Sequence, residues 1–233
     1  CLVGSEMCIR DRGIAGVIRG ANGKNAGSSI RYVHVDGRVD GNRYLGGIAG
    51  KVEDTYGNCV LEDCTFNGRL DCPLADFTGG IAGWYYSAGA GMMHDCINYS
   101  DISGGDNTGG VVGYAERYPS VYNTTDDRLE IRWCVNMGKV SGTLHTGGIA
   151  GRIHCDDANK GYLNDECLGV LVTGCMNKGY ISGTGGSSNS ASSGIGGIAG
   201  FTNFRTGITQ CANHGDCLLY TSPSPRDTER SRM

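Results

Sequence analysis

A glycine-rich pentad that returns along the chain constrains the possible fold more than any other feature. Its copies are GGIAG at 46–50, 79–83, 147–151 and 196–200, GGVVG at 109–113, and a truncated GIAG at 13–16. The spacing varies, from 30 residues between Gly80 and Gly110 to 49 residues between Gly148 and Gly197. A fixed unit joined by connections of variable length is typical of a solenoid, in which successive coils stack on one another.

Each unit has a second half that is also bounded by glycine. Its clearest copies are CINYSDISG at 96–104, CVNMGKVSG at 134–142 and CMNKGYISG at 175–183. Both halves are short and β-branched, and neither carries an apolar stripe of helical period, so each predicts a strand, a corner and a strand. The glycines at these corners, part of 41 in the chain, predict either positive φ or close approach of two backbones.

These units predict an all-β fold, a parallel β-solenoid whose coils are right-handed because parallel crossovers nearly always are. The predicted solenoid covers 13–216. The flanks 1–12 and 217–233 carry no repeat, and both resemble translated sequencing-adapter fragments of the kind that cap environmental gene assemblies. We therefore expect 1–12 and 217–233 to be artefact or disordered, and 13–216 to be a metagenomic fragment of a longer protein.

Stacking would place equivalent residues above one another, about 4.8 Å apart. One predicted ladder is aliphatic: Ile48, Ile81, Val111, Ile149 and Ile198. A second is made of thiols: Cys64, Cys96, Cys134, Cys175 and Cys211. A third is made of amides at a turn, facing either way: Asn98, Asn136, Asn177 and Asn213. Val35 and Phe66 take the equivalent positions in the two earlier coils, so those rungs are missing. The thiols fit free buried groups or inter-coil disulfides, and Cys155 and Cys167 share a loop that could hold a disulfide.

The combination of GGIAG with C-x-N-x-G-x-V-x-G resembles the GLUG-motif repeat over essentially all of 13–216. That repeat occurs in bacterial surface and secreted proteins and in regions flanking IgA-protease-type metallopeptidases. The resemblance implies a β-solenoid on an extracellular or cell-surface bacterial protein. It implies no chemistry by itself, because the repeat is a scaffold.

Composition argues against several other classes of protein. The formal net charge is −4 and no basic stripe exists, so no nucleic-acid partner is expected. No apolar run reaches the ~18 residues of a membrane span. There is no C-x-x-C and no His-Glu-x-x-His, and the glycine pentad is not followed by a helix, so we expect no catalytic residues, metal site or cofactor.

The arcs between each pentad and the next cysteine vary in length and carry most of the large aromatic residues. Variable arcs project from one side of a solenoid, which is commonly the binding side. The predicted binding residues are Trp84, Tyr85, Tyr86, Tyr118, Tyr122 and Trp133. The aromatics could contact a glycan or a host surface protein, or they could pack along the flank of the coils.

The function that follows is that of a non-catalytic, adhesin-like or stalk-forming repeat region. The alternative is an accessory region of an extracellular metallopeptidase, or a β-helical polysaccharide-degrading enzyme.

Overall fold

The computed structural model describes residues 13–20, 27–54, 59–118, 127–156, 169–184 and 194–219. Within these ranges every regular element is a β-strand, and the strands form five parallel sheets. We number the strands in chain order and the sheets I to V by their first strands.

Sheets I and II are the largest. Sheet I comprises β1 (Ala15–Arg19), β6 (Ala49–Asp54), β11 (Ala82–Ser87), β16 (Val112–Arg117), β21 (Ala150–Cys155) and β26 (Ala199–Thr202). Sheet II comprises β2 (Ser29–Arg31), β7 (Val60–Glu62), β12 (Met92–His94), β17 (Leu129–Arg132), β22 (Val170–Thr173) and β27 (Thr206–Thr209).

The other three sheets are built from shorter strands. Sheet III comprises β3 (His34–Val35), β8 (Thr65–Phe66), β13 (Ile97–Asn98), β18 (Val135–Asn136), β23 (Met176–Asn177) and β28 (Ala212–Asn213). Sheet IV comprises β4 (Arg38–Val39), β9 (Arg69–Asp71), β14 (Ile102–Ser103), β19 (Val140–Gly142), β24 (Ile181–Gly183) and β29 (Cys217–Leu219). Sheet V comprises β5 (Arg43–Gly46), β10 (Asp76–Gly79), β15 (Thr108–Gly109), β20 (Thr146–Gly147) and β25 (Ile195–Gly196).

The chain visits the sheets in the same order in every coil, from I to V, and then begins the next coil. Equivalent strands pair in register, so that Val135 lies beside Ile97 and Met176 beside Val135. The predicted all-β parallel β-solenoid is therefore confirmed, and its right-handed course stays a prediction. Residues 217–219, just beyond the predicted repeat region, pair with 181–183 as the last described strand of sheet IV, and the bounds of that region stay a prediction.

The interior is filled by the predicted ladders. Ile48, Ile81, Val111 and Ile149 are all buried, and each backbone N–H donates to the equivalent carbonyl of the next coil. The thiol ladder from Cys64 to Cys211 is made of free cysteines, which agrees with the first of the two alternatives in the sequence. Burial raises the pKa of the Cys134 thiol, and hydrogen bonding to its neighbours adds to that. Cys167 lies outside the described residues, so its pairing with Cys155 stays a prediction.

The asparagines form a continuous amide ladder on the inner side of sheet III. The Nδ2 of Asn98 donates to Oδ1 of Asn136 at 2.8 Å, and Asn136 and Asn177 each donate to the next rung at 2.7 Å. The second proton of each Nδ2 goes to the carbonyl two residues ahead at 2.8 Å, as in Asn136 to Gly138. Because Asn98, Asn136 and Asn177 are completely buried, this network satisfies polar groups that water cannot reach.

The pentad glycines meet this ladder from the opposite side of the coil. A Cβ added at Gly110 would come closer than 3.0 Å to the Asn136 side chain and to the carbonyl of Gly148. The same holds at Gly80 against Asn98 and Gly110. Of the two roles that the sequence left open for these glycines, the structure shows close approach: among the described glycines only Gly174 has a positive φ.

Positive φ values fall instead on larger residues at two recurring corners. The corner before the thiol ladder includes Asp63, Asp95 and Trp133, with φ of 49° to 56°. The corner in sheet V carries Tyr44, Phe77, Asn107 and His145. Apart from Asn107 and His145, which are buried, these side chains are partly or fully exposed, so the corners supply outward side chains in most coils.

The described ranges contain no helix with the length and hydropathy that a membrane crossing requires.

Candidate functional site

The outer face of sheet I is the surface where large aromatic and charged side chains come together. Side chains alternate between the two faces of a strand. In β11 this alternation sends Trp84 and Tyr86 outward and Tyr85 inward, as their half-buried and buried states show.

Parallel register extends these positions into two outward rows along the solenoid axis. The first row consists of Val17, Lys51, Trp84, Tyr114, Arg152 and Phe201. The second consists of Arg19, Glu53, Tyr86, Glu116 and His154. Every first-row residue after Val17 directly follows a pentad, so the repeat itself places them there.

Four rings, Tyr44, Phe77, Trp84 and Tyr114, form what we call the aromatic stack. Tyr44 and Phe77, from successive sheet V corners, stack with ring centroids 5.1 Å apart. Trp84 stacks on Tyr44 at 5.3 Å and lies nearly parallel to Tyr114, at 6.2 Å and 11°. The rings therefore cover each other's faces along the axis, and the predicted flank packing describes this part of the surface.

Cations lie against the rings at both ends of the aromatic stack. The Lys51 ammonium is 4.1 Å from the Trp84 centroid, and the Arg43 guanidinium is 4.7 Å from the Tyr44 centroid. At the other end Arg152 lies 5.3 Å from the ring centroids of both Tyr114 and Phe201. Contacts of this kind are attractive because the face of an aromatic ring is electron-rich.

Tyr86 occupies a different setting in the second row. Its neighbours in register are Glu53 on one side and Glu116 on the other, each about 4.8 Å away along the axis. Its ring meets Trp84 edge-on at 6.0 Å rather than stacking. An aromatic ring between two carboxylates combines a stacking surface with hydrogen-bond acceptors, which is the chemistry that a sugar ring and its hydroxyl groups require.

The two glutamates differ in their electrostatic environment. A hydrogen bond from Lys51, at 2.8 Å, lowers the pKa of Glu53, and Arg19 at 2.6 Å acts in the same direction. Burial raises the pKa of Glu116, although Trp84 Nε1 donates to it at 3.0 Å. Glu53 is therefore held as a carboxylate more firmly than Glu116.

The prediction that Tyr85 belongs to a binding surface is wrong. Tyr85 is completely buried, its hydroxyl donates to the carbonyl of Cys59 at 2.5 Å, and it accepts from the amide of Met92 at 2.9 Å. The sequence interpretation treats the arc after the pentad as a loop, whereas the first four residues of the arc continue strand β11. Strand alternation then places residue 85 in the core.

The other predicted binding residues do not converge on one site. Trp84 and Tyr86 lie together on the outer face of sheet I. Tyr118 is 37% exposed just past the end of β16, and Trp133 is 55% exposed at the corner between sheets II and III. Tyr122 lies outside the described residues, so its part in binding stays a prediction.

Sequence reasoning missed several members of this face, among them Tyr44, Lys51, Phe77, Glu116 and Arg152. These residues can be recognised by their position in the repeat, but not by their residue type. Aligning the repeats column by column shows that the residue after each pentad is large or cationic in five successive coils. Lys51, Glu116 and Arg152 lie in the arcs but are not aromatic, and Tyr44 and Phe77 lie before the pentads, so a search for aromatic residues in the arcs passed over all five.

The rest of the described surface has fewer polar groups available to a ligand. A shallow cleft of about 660 Å³ at the corner of sheets III and IV is lined by Arg69, Asp71, Tyr99, Asp101 and Lys139, among others. Arg69 pairs with Asp71 at 2.9 Å, and Asp101 accepts from the Lys139 amide at 2.8 Å, so these groups are already engaged. Across the described ranges, no three His, Cys, Asp or Glu side chains are grouped so as to hold a metal ion.

Comparison with known proteins identifies no relative: no protein-family model, no curated protein and no solved structure matches the chain.

Proposed function

We propose that this chain is a non-catalytic, GLUG-type repeat region of a secreted or surface-anchored bacterial protein, adhesin-like, and that it binds glycan through the outer face of sheet I. The observation that carries the proposal is the setting of Tyr86. Its half-buried ring is flanked by Glu53 and Glu116 and held in place by Trp84.

The scaffold supports this use in two ways. Parallel register fixes the spacing of the side chains, so no ordering of this face is needed before a ligand binds, and preorganisation favours affinity. The rows also extend over several coils, which suits an elongated ligand such as an oligosaccharide.

The test is binding of the full chain to a panel of immobilised glycans, with Tyr86→Ala as the principal variant. Loss of one stacking ring should weaken binding roughly 3- to 10-fold. Trp133→Ala is the matched control, since it removes an exposed aromatic side chain from another corner. Equal loss in both variants, or no binding by a chain that circular dichroism shows to be folded, would contradict the proposal.

A second candidate function is polysaccharide cleavage, and one observation favours it. Glu53 and Glu116 lie in the same row with pKa values displaced in opposite directions, as a general base and a general acid require. Their backbones are two coils apart, roughly 9.6 Å, close to the carboxyl separation of inverting glycosidases. Release of reducing ends from any bound polysaccharide, abolished by Glu116→Gln, would favour this function over binding alone.

A further inference from the structure

We infer that the sugar bound on the outer face of sheet I carries an anionic group, a carboxylate or a sulfate, and that Arg152 holds this group. The inference rests on the proposed function and specifies its ligand class. Two features of the Arg152 guanidinium carry it. No carboxylate of the described residues lies within 4.0 Å, and two aromatic rings flank it.

Most exposed arginines of the described residues are paired with carboxylates. Those with a partner within 4.0 Å are Arg19, Arg31, Arg38, Arg69, Arg128 and Arg132. Arg152 has no carboxylate within that distance in the described part of the chain. Glu116, on the neighbouring strand, accepts from Trp84 Nε1 and feels the Arg152 charge, but it forms no ion pair with Arg152 within 4.0 Å. The positive charge of Arg152 is thus left available to a ligand.

The Arg152 guanidinium is also flanked by two aromatic rings. Tyr114 belongs to the coil before Arg152 and Phe201 to the coil after it, and both ring centroids are 5.3 Å from Cζ. A guanidinium beside two ring faces still has N–H groups for a two-point contact with a carboxylate or sulfate.

Unused polar atoms lie beside this position. Arg152 Nε and His154 Nδ1 are buried and have no hydrogen-bond partner. The two residues point outward from the same strand, β21, so they face the same stretch of surface. Arg43, which rests on Tyr44 and Phe77 at the opposite end of the aromatic stack, is a second arginine without a carboxylate within 4.0 Å among the described residues.

The chemistry around Arg152 favours a single charged group over a dense polyanion. The chain as a whole has a formal net charge of −4, and Glu53 and Glu116 lie in the adjacent row. A nucleic acid would bring many phosphates toward these carboxylates, whereas a sugar acid brings one anionic group per residue. An oligosaccharide with one ring beside Tyr86 and the acidic group of another sugar residue at Arg152, two coils or about 9.6 Å along the axis, satisfies both parts of the face.

The experiment compares matched pairs of polysaccharides on the full chain. Polygalacturonate is set against its methyl ester to test for the carboxylate, and κ-carrageenan against agarose to test for the sulfate. The variants are Arg152→Gln, which keeps much of the shape and removes the charge, and Arg69→Gln as a control on sheet IV. We expect Arg152→Gln to weaken binding of one acidic polymer roughly 10- to 100-fold and Arg69→Gln to leave it unchanged.

The outcomes separate this inference from the proposed function. Preference for an acidic polymer that Arg152→Gln removes supports the inference, and the pair that shows it identifies carboxylate or sulfate. Equal binding of acidic and neutral partners, or unchanged binding by Arg152→Gln, overturns the inference and leaves glycan binding standing. No binding to any polymer by the folded chain overturns both.

Discussion

At the scale of single residues, the structure explains why the pentad begins with two adjacent glycines. In Gly80, Gly110 and Gly148 the second glycine faces the carbonyl of the next coil and the amide of the asparagine ladder, at distances that leave no space for a side chain. The first glycine is equally confined: a Cβ at Gly79 would overlap the carbonyl of Ala82. The requirement is steric, and it recurs in each coil because the coils are superimposable.

Replacing Gly110 with alanine should therefore destabilise the fold by about 2–3 kcal/mol, as forced overpacking of a core does. Gly37→Ala is the matched control, because a Cβ at Gly37 meets nothing within 4 Å and no change is expected. Urea unfolding followed by circular dichroism measures the difference. Similar midpoints for the two variants would show that the coil can widen at the pentad.

The two glutamates beside Tyr86 should respond oppositely to pH. Glu53 has a lowered pKa, so it stabilises the folded chain above its ordinary value of 4.5 and loses that contribution as pH falls through the folded pKa. Glu116 has a raised pKa, so the fold loses stability as pH rises from 4.5 through the folded value.

Melting temperatures between pH 3 and 8 test this pair. At pH 7 we expect Glu53→Gln to lower the melting temperature and Glu116→Gln to raise it, and at pH 3 both should approach the original chain. The carboxamide introduced by Glu116→Gln can still accept from Trp84, so the comparison isolates the charge. Parallel shifts of the two variants across the whole range would rule out this assignment.

At the scale of strands and ladders, the amide ladder adds side-chain hydrogen bonds to the backbone hydrogen bonds that join the coils at sheet III. Asn136 accepts from Asn98 and donates to Asn177 and to the carbonyl of Gly138, so its removal takes one hydrogen bond from each of three groups. Asn213, at the outermost described rung, is exposed, and water can replace its carboxamide.

Asn136→Ala should cost about 2–4 kcal/mol, the sum for three lost buried hydrogen bonds, and Asn213→Ala at most about 1 kcal/mol. Chemical denaturation of both variants gives the two values. Equal losses would mean that the ladder is not a cooperative interior network but a set of independent turns.

The strands and ladders also show how much of the structure could be predicted from the sequence. Strand type, coil repetition and the membership of all three ladders follow from the column pattern, because stacked coils demand equivalent residues at equivalent places. The inward direction of the asparagines does not follow, since the corner after Asn136 resets the alternation. The site follows only in part: Trp84 and Tyr86 stand out as aromatics of an arc, but Tyr85 is misplaced because the length of β11 is set by pairing with its neighbours.

At the scale of the whole molecule, stability should be highest in the middle coils. A middle coil packs against two neighbours, whereas the outermost described coils have one. Ile81 and Val111 are completely buried, while Ile198 in the last described coil is only partly buried.

Hydrogen exchange followed by mass spectrometry should therefore find the slowest amides in β11 and β16. Amides in β26 to β28 should exchange roughly tenfold faster or more, because local opening there breaks fewer contacts. Uniform rates along the chain would indicate that the solenoid opens as one cooperative unit.

The register of the ladders also sets a rule for how such a molecule can change its size. Removing the residues from Gly80 through Gly109 would delete one coil. Gly110 would then lie beside Gly47 in place of Gly80, and Asn136 would lie beside Phe66 in place of Asn98. Removing a single residue from β13 would move Asn98 off its ladder and turn the rest of the strand inside out. The height of the molecule is accordingly quantised in steps of about 4.8 Å. Evolution can copy or delete whole coils, and any fraction of a coil has to be absorbed in the connections between sheets.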